Sequence, residues 1–268
     1  MSGAVTVSRG REARRFGELT ETTGTEVTPE GASMLYTRYC HAAETGTGKR
    51  VLEVGCGSGQ GLGLLASRAD RAVGADIDVA LLREARAHYG SRMPLVCLSA
   101  EQLAFQDASF DVILFFEASY YVPRMDLAFD ELVRVLAPSG TVIFVNANPE
   151  RPNFIASPRS HAYHGAEQFR HELESRGFDT RVEGAFPTAE PGIHARVIAI
   201  ARRALEGLGL VPTTLRGRAL LKRLLYRNLR ALPVEIGTNY APREPLRSLA
   251  SGSGFKVLYV TATRVAHD

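Results

Sequence analysis

The sequence is short of several residue types that decide a protein's class. Tryptophan is absent, and the 268 residues hold only three cysteines, Cys40, Cys56 and Cys97. Three is an odd number and their spacing matches no zinc motif, so we expect neither a disulfide framework nor a metal site.

An excess of one charge and long apolar runs are also lacking. Lys and Arg total 32 against 29 Asp and Glu, and this difference is too small to predict a nucleic-acid partner. No apolar run is long enough to cross a bilayer, and the N-terminus, MSGAVTVSRGREARRF, lacks the apolar core of a signal peptide. We therefore expect a cytoplasmic protein whose length suits one large α/β domain.

The stretch VLEVGCGSG, residues 51–59, is the most informative part of the chain. An apolar run leads into glycines at 55, 57 and 59, and a helical pattern follows from Gln60 to Arg68. This order predicts a strand, a tight turn and a helix. A dinucleotide fingerprint G-x-G-x-x-G would need glycine at position 60 or 62, which are Gln60 and Leu62, so the pattern disfavours NAD.

Two acidic residues indicate a different ligand. Glu53 lies two residues before Gly55, where a carboxylate suits an ammonium group better than a pyrophosphate. Asp76 follows Gly55 by 21 positions and ends a second apolar run, where an acid can accept both ribose hydroxyls. A ligand with an amino acid at one end and a ribose at the other fits S-adenosylmethionine.

Four segments, VLEVGCGSG, VGADID, LSAEQLAFQDASFDVILFFEASYYV and ELVRVLAPSGTVIFV, resemble in order and spacing the motifs of class I S-adenosylmethionine-dependent methyltransferases. The resemblance runs from about Lys49 to Val145. It implies a Rossmann-like α/β fold: a doubly wound, seven-stranded, mostly parallel sheet whose last strand is antiparallel. It also implies S-adenosylmethionine as cofactor and a small-molecule acceptor.

The resemblance also implies which residues hold the cofactor. In relatives, apolar residues at the positions of Ile77 and Leu81 enclose the adenine, although both residues could be ordinary core. Ser99 stands where relatives often have aspartate, and a neutral hydroxyl is a weaker acceptor for the adenine amino group. The predicted cofactor residues are Tyr39, Glu53, Gly55, Cys56, Gly57, Gly59, Asp76, Ile77, Leu81, Ser99, Ala100, Glu101 and Phe116.

The acceptor side is predicted at the carboxyl edge of the sheet, where open α/β proteins bind ligands. The residues after the apolar strand 110–116, from Glu117 to Tyr121, should face the transferred methyl group. The loop 146–164 borders the acceptor pocket in relatives. We take Tyr120, His161 and His164 as candidate catalytic residues, while Glu117 could simply fix a loop, Tyr120 could be a wall, and surface loops also carry idle histidines.

The chain divides into an N-terminal segment and cap helix, residues 1–45, and a methyltransferase domain, residues 46–268. The cap helix begins at Pro29, and Tyr39 lies on it. A helical insertion at about 187–254 precedes the last strand, with helices predicted for 193–204 and 215–231. The second has leucines opposite five basic residues, Arg218, Lys222, Arg223, Arg227 and Arg230. It suits a lid, a peripheral membrane contact or an anionic acceptor.

Three functions follow from these patterns. The first is a methyltransferase for a small-molecule acceptor, with oxygen as the favoured nucleophile. The second is a methyltransferase for an anionic or lipid-linked glycan precursor at the membrane surface. The third is a protein that binds S-adenosylmethionine without catalysis.

Overall fold

A computed structural model of the chain describes residues 22–157, 159–188, 228–249 and 252–265. The predicted helix 193–204 and most of the predicted helix 215–231 lie outside these residues, as do four of the five basic residues of the second helix.

Five α-helices are described, and their ends follow local signals. Proline opens the first helix, and the Thr28 side chain accepts a hydrogen bond from the Gly31 N–H there. The third helix begins after Asp78, whose side chain accepts from the Ala80 N–H. Side-chain oxygens at these positions satisfy backbone donors that the helix leaves unpaired. The helices are α1 (Pro29–Thr45), α2 (Leu62–Ala66), α3 (Val79–Tyr89), α4 (Met125–Val135) and α5 (Ala166–Glu174).

Ten strands are described: β1 (Glu26–Val27), β2 (Arg50–Val54), β3 (Arg71–Asp76), β4 (Leu95–Cys97), β5 (Phe110–Phe116), β6 (Leu136–Ala147), β7 (Phe178–Pro187), β8 (Arg230–Ala231), β9 (Arg247–Ser248) and β10 (Phe255–Arg264). Eight form one sheet in the order β4-β3-β2-β5-β6-β10-β7-β9. Strands β2 to β6 pair in parallel, and β10 is antiparallel to both β6 and β7. The predicted doubly wound sheet with an antiparallel last strand is confirmed. It has eight strands rather than seven because the two-residue β9 adds to its edge.

The sheet separates two apolar layers. On one face α1, α2 and α3 pack against side chains that include Val51, Val145 and Tyr259. On the other face α4 and α5 cover Leu52 and Phe144 among others. Because neighbouring residues of a strand point to opposite faces, each central strand contributes to both layers. Within the described residues, no helix combines the length and hydrophobicity needed to span a membrane.

Two predicted boundaries are wrong. Arg230 and Ala231 form β8, which pairs with β1, so the helix predicted for 215–231 does not reach its predicted end. The sequence pattern predicts a helix over 125–136, ended by Pro138 and Gly140, and a strand from Thr141. In the structure β6 already begins at Leu136, and Pro138 lies inside it. The register against β5 shifts at this point, and proline is tolerated in a strand where such a bulge leaves a backbone position unpaired.

Candidate functional site

The turn after β2 leaves part of its backbone open. Gly55, Gly57 and Gly59 have φ values of 79°, 56° and 78°, a region that other residues rarely adopt. A Cβ added to Gly55 would lie 2.5 Å from the Cβ of Ala118, whereas one added to Gly57 would meet no atom within 4 Å. Position 55 therefore requires glycine because Ala118 packs against it, whereas the space beside Gly57 is open to a ligand.

Glu53, at the end of β2, is buried, with 1% of its surface exposed. Its Oε1 accepts a hydrogen bond of 2.5 Å from the Tyr39 hydroxyl, and its Oε2 is buried with no hydrogen-bond partner in the described part of the chain. Burial raises the pKa of Glu53 to about 7, against the lowering effect of the Tyr39 hydrogen bond and of the Arg38 charge. A buried carboxylate oxygen without a partner is costly unless a ligand supplies one.

Asp76 joins the end of β3 to the glycine turn. One carboxylate oxygen accepts from the Gly57 N–H and the other from the Asp78 N–H, both at 2.8 Å. Burial raises its pKa. Each oxygen keeps a further lone pair, so the carboxylate can shape the turn and also accept from ribose hydroxyls.

The two residues predicted to enclose the adenine differ in exposure. Ile77 is 59% exposed beside Asp76, which is unusual for a large apolar side chain next to a buried strand. Leu81 is 2% exposed and is packed by protein. Ile77 is thus available to a flat apolar ligand, while the predicted role of Leu81 stays a prediction.

Hydrogen bonds between its own residues hold the loop after β4. The Ser99 hydroxyl accepts from the Glu101 N–H at 3.2 Å, and the Ser99 carbonyl accepts from the Gln102 N–H at 3.1 Å. The Glu101 carboxylate accepts from the Arg124 N–H at 2.9 Å. The serine therefore has a structural function in this turn, and the adenine contacts of Ser99, Ala100 and Glu101 stay predictions.

Three further predicted cofactor residues, Tyr39, Cys56 and Phe116, are buried. The Tyr39 ring packs edge-on against Phe116, with 5.4 Å between ring centroids. Cys56 is buried inside the turn, and burial holds the pKa of its thiol well above the usual range. Its sulfur is therefore a protonated packing group at neutral pH, not a reactive thiolate.

Aromatic rings surround Glu117, which follows β5. Glu117 has a φ of 49°, and its Oε2 accepts from the Tyr120 hydroxyl at 2.9 Å. The Tyr120 ring stacks on Tyr163 at 4.3 Å, and Phe154 packs edge-on against Tyr163 at 4.7 Å. The Tyr121 hydroxyl shares a 2.5 Å hydrogen bond with Ser157. A carboxylate on a residue with left-handed backbone, beside an aromatic wall, is a typical feature of functional sites.

The two candidate histidines lie in different surroundings. The His161 main-chain N–H donates to the Tyr120 carbonyl at 2.7 Å, which places this loop beside Glu117, and the residue is exposed. The His164 ring lies against Phe129 and Phe169 in the second apolar layer, and burial lowers its pKa. The structure thus brings Glu117, Tyr120 and the His161 loop together, and it places His164 among core side chains.

Sequence reasoning missed the segment that covers the glycine turn. The Ile236 N–H donates to the Gln60 carbonyl at 2.8 Å, and the Gln60 side chain donates to the Pro233 carbonyl at 3.2 Å. The Glu235 carboxylate lies 2.6 Å from Nε2 of His88 on α3, within hydrogen-bond distance. These contacts link residues 147 to 176 positions apart, and no local pattern could have indicated them.

Comparison with known proteins agrees with this geometry. Residues 52–144 match the protein family described as "Methyltransferase domain". A fatty-acid O-methyltransferase of Mycolicibacterium smegmatis is 37% identical over 105 residues, covering 38% of this chain and 38% of the relative. Phthiotriol/phenolphthiotriol dimycocerosates methyltransferase 1 of Mycobacterium ulcerans is 39% identical over 106 residues, covering 38% and 39%. Together these matches support a class I S-adenosylmethionine-dependent methyltransferase domain over the matched residues. It matches only about two fifths of the length of these relatives.

A solved structure extends the likeness to almost the whole chain. The [4+2]-cyclase SpnF has a TM-score of 0.58 and covers 93% of this chain and 90% of its own, at 19% identity. That identity supports a shared fold alone. Because a cyclase shares this fold, the reaction of the present chain has to be argued from its site.

The described residues fit the cofactor of the family. The buried Glu53 Oε2 suits the ammonium group of S-adenosylmethionine, the Asp76 carboxylate suits the ribose hydroxyls, and exposed Ile77 suits the adenine. Open space at Gly57 admits the ligand beside the turn.

Proposed function

We propose that the protein transfers a methyl group from S-adenosylmethionine to a hydroxyl oxygen of a small, apolar acceptor. The observation that carries this proposal is the Glu117–Tyr120 pair, set against aromatic rings next to the glycine turn. Gly55 of the turn and Ala118 are in such close contact that even a methyl group does not fit between them. The cofactor side and the acceptor side therefore meet at one point of the sheet edge.

The cofactor supplies an electrophilic methyl group on a positively charged sulfur. Methyl transfer to a ready nucleophile depends mainly on positioning and on the exclusion of water. A hydroxyl acceptor is a poor nucleophile at neutral pH, and it also needs a base that takes its proton.

Glu117 is the residue we assign as that base. Burial and the neighbouring Glu117 charge hold the pKa of Tyr120 well above its usual range, so the phenol stays protonated and acts as a donor. Tyr120 then positions the Glu117 carboxylate, and Glu117 takes the acceptor proton. His161 is the second candidate because its loop contacts Tyr120, whereas the core position of His164 does not favour it.

The same carboxylate selects between acceptor classes. An ionised fatty acid brings a second negative charge next to Glu117, and like charges at close distance repel each other. A neutral hydroxyl instead gains a hydrogen bond to the carboxylate. The site therefore favours an alcohol or phenol over a carboxylic acid.

An apolar acceptor agrees with the wall formed by Tyr120, Tyr163 and Phe154. Aromatic rings bind apolar surface without needing polar partners. The matched relatives are named for fatty acids and for phthiotriol dimycocerosates, which supports an acceptor with a long hydrocarbon part.

The test is transfer of labelled methyl from S-adenosylmethionine to matched acceptors: a fatty acid, the fatty alcohol of the same chain length, and an alkylphenol. We expect methylation of a hydroxyl acceptor. Glu117→Gln should abolish turnover and keep cofactor affinity, whereas Tyr120→Phe should lower turnover partly. Asp76→Ala is the control that loses cofactor binding.

Failure of every hydroxyl acceptor, or a Glu117→Gln variant as active as the wild type, would contradict the proposal. If only the fatty acid is methylated, the methyltransferase activity stands, but the assignment of Glu117 as general base is wrong.

A second candidate is action on an anionic or lipid-linked glycan precursor at a membrane surface. The basic stretch 215–231 favours it, since each basic residue near an anionic surface is worth about 1 kcal/mol of binding. Co-sedimentation with anionic liposomes at low and high salt separates the candidates, because a soluble acceptor requires no liposome binding.

A further inference from the structure

We infer that Tyr39 is a positioning residue that orients Glu53 for the cofactor ammonium group. Residue 61 is glycine because any side chain there would overlap the Tyr39 ring. Tyr39 would then act on cofactor binding through Glu53 without touching the cofactor. This inference rests on the cofactor part of the proposed function.

The Tyr39 side chain is fixed from three sides. It is 4% exposed, and its hydroxyl donates to Glu53 Oε1 at 2.5 Å. Phe116 packs edge-on against its ring, and the Arg38 guanidinium lies 5.7 Å from the ring centroid. A phenol held in this way has one available position for its hydroxyl, so the hydrogen bond fixes the Glu53 carboxylate as well.

Packing, not backbone conformation, accounts for the glycine at position 61. Its φ is −98°, which any residue can adopt. A Cβ at this position would overlap the Tyr39 ring at three of its carbon atoms. An alanine must therefore displace the ring, because the overlapped atoms belong to a buried and rigid group.

The orientation decides which oxygen is left for a ligand. Tyr39 occupies Oε1, and Oε2 has no hydrogen-bond partner among the residues described. The ammonium group of the cofactor needs an ionised carboxylate there. Without the phenol, both oxygens lie buried without a donor, and the carboxylate is harder to ionise.

Other charged and titratable groups also face Glu53. They are Arg38 on α1, Asp76 on β3, Cys56 in the turn and Tyr89 on α3. All of them remain when Tyr39 is replaced by phenylalanine, so that replacement isolates the hydrogen bond. Its loss raises the pKa of Glu53, and the loss of affinity at low pH then begins at a higher pH.

The experiment is calorimetric titration with S-adenosylhomocysteine between pH 6 and 9, on the wild type, Tyr39→Phe, Gly61→Ala and Tyr36→Phe. The last variant is the matched control: Tyr36 lies on the same helix, but its hydroxyl accepts from the Asn239 N–H and makes no contact with Glu53. Tyr39→Phe should weaken binding about tenfold at pH 7 and move the midpoint of the pH profile up by about one unit. Gly61→Ala should move it in the same direction, and Tyr36→Phe should leave it unchanged.

Because unfolding that changes with pH would also shift the midpoint, circular dichroism at each pH is recorded beside the titration, and only pH values at which the variant is as folded as the wild type enter the profile. A Tyr39→Phe midpoint equal to that of the wild type would overturn the inference while leaving the cofactor assignment intact. A wild type that does not bind S-adenosylhomocysteine would overturn the proposed function itself.

Discussion

Replacing Glu53 with glutamine should stabilise the unliganded protein at pH 8 and destabilise it at pH 4.5. Burial raises the Glu53 pKa from 4.5 to about 7 in the folded state. The folded protein therefore binds this proton more tightly than the unfolded chain, and the stability from Glu53 is present below pH 4.5 and lost as pH rises to 7. The loss corresponds to about 3 kcal/mol by linkage.

Glutamine removes this pH dependence, and it keeps a carbonyl oxygen for the Tyr39 hydroxyl. Its amide nitrogen, however, takes the place of Oε2, which has no partner, and a buried unsatisfied donor costs about 1 kcal/mol. The variant should therefore be more stable than the wild type by about 2 kcal/mol at pH 8 and less stable by about 1 kcal/mol at pH 4.5.

Urea unfolding without cofactor, at half-unit steps from pH 4.5 to 8, measures both free energies. The expected signature is a crossing of the two stability curves between these limits. Glu84→Gln, on the exposed face of α3, is the control and should run parallel to the wild type. A Glu53→Gln variant that is less stable at every pH would refute the reasoning.

Four further predictions concern the glycine turn, Arg134 and the loop after β4. Gly57→Ala should cost only about 1 kcal/mol of stability, since its methyl meets no atom, yet it should abolish tight cofactor binding in calorimetry. Gly55→Ala should cost about 2 to 4 kcal/mol in urea unfolding, because left-handed strain adds to the clash with Ala118. Arg134→Met should lose about 2 kcal/mol, since this arginine donates to two carboxylates and two carbonyls. Ser99→Asp should tighten cofactor binding severalfold if residue 99 contacts the adenine, and equal or weaker binding in a folded variant would contradict that register.

Strong local patterns predicted the parts of the fold that they govern. The sequence predicts a helix over 79–89 and a strand over 110–116, and α3 and β5 have these bounds, because an apolar helix face and an apolar strand leave little choice of period. Strands β8 and β9 have two residues each, too few to show any pattern. The start of β6 was mispredicted because proline and glycine signals are local, whereas the bulge depends on pairing with β5.

The same division holds within the candidate site. The acids Glu53 and Asp76 were predicted from their spacing to the glycines, and the structure places both at the turn. The bond between Tyr39 and Glu53 joins residues 14 apart across two elements, and the fit of Gly61 to the Tyr39 ring depends on packing. Such contacts follow from the tertiary fold, which sequence periodicity does not encode.

The glycine turn packs closely against the residues that follow β5, so a substitution in one of these segments affects the other. Gly55 touches Ala118, and Ala118 directly follows Glu117, whose φ of 49° is a strained value for a non-glycine residue. Relaxing Glu117 by replacing it with glycine should therefore stabilise the fold, yet it removes the carboxylate that we assign as base. A left-handed backbone at a non-glycine residue next to a ligand site agrees with our assignment of the Glu117 carboxylate as base. A Glu117→Gly variant that gains stability and loses turnover, with cofactor affinity unchanged, would separate this function from a role in shaping the turn.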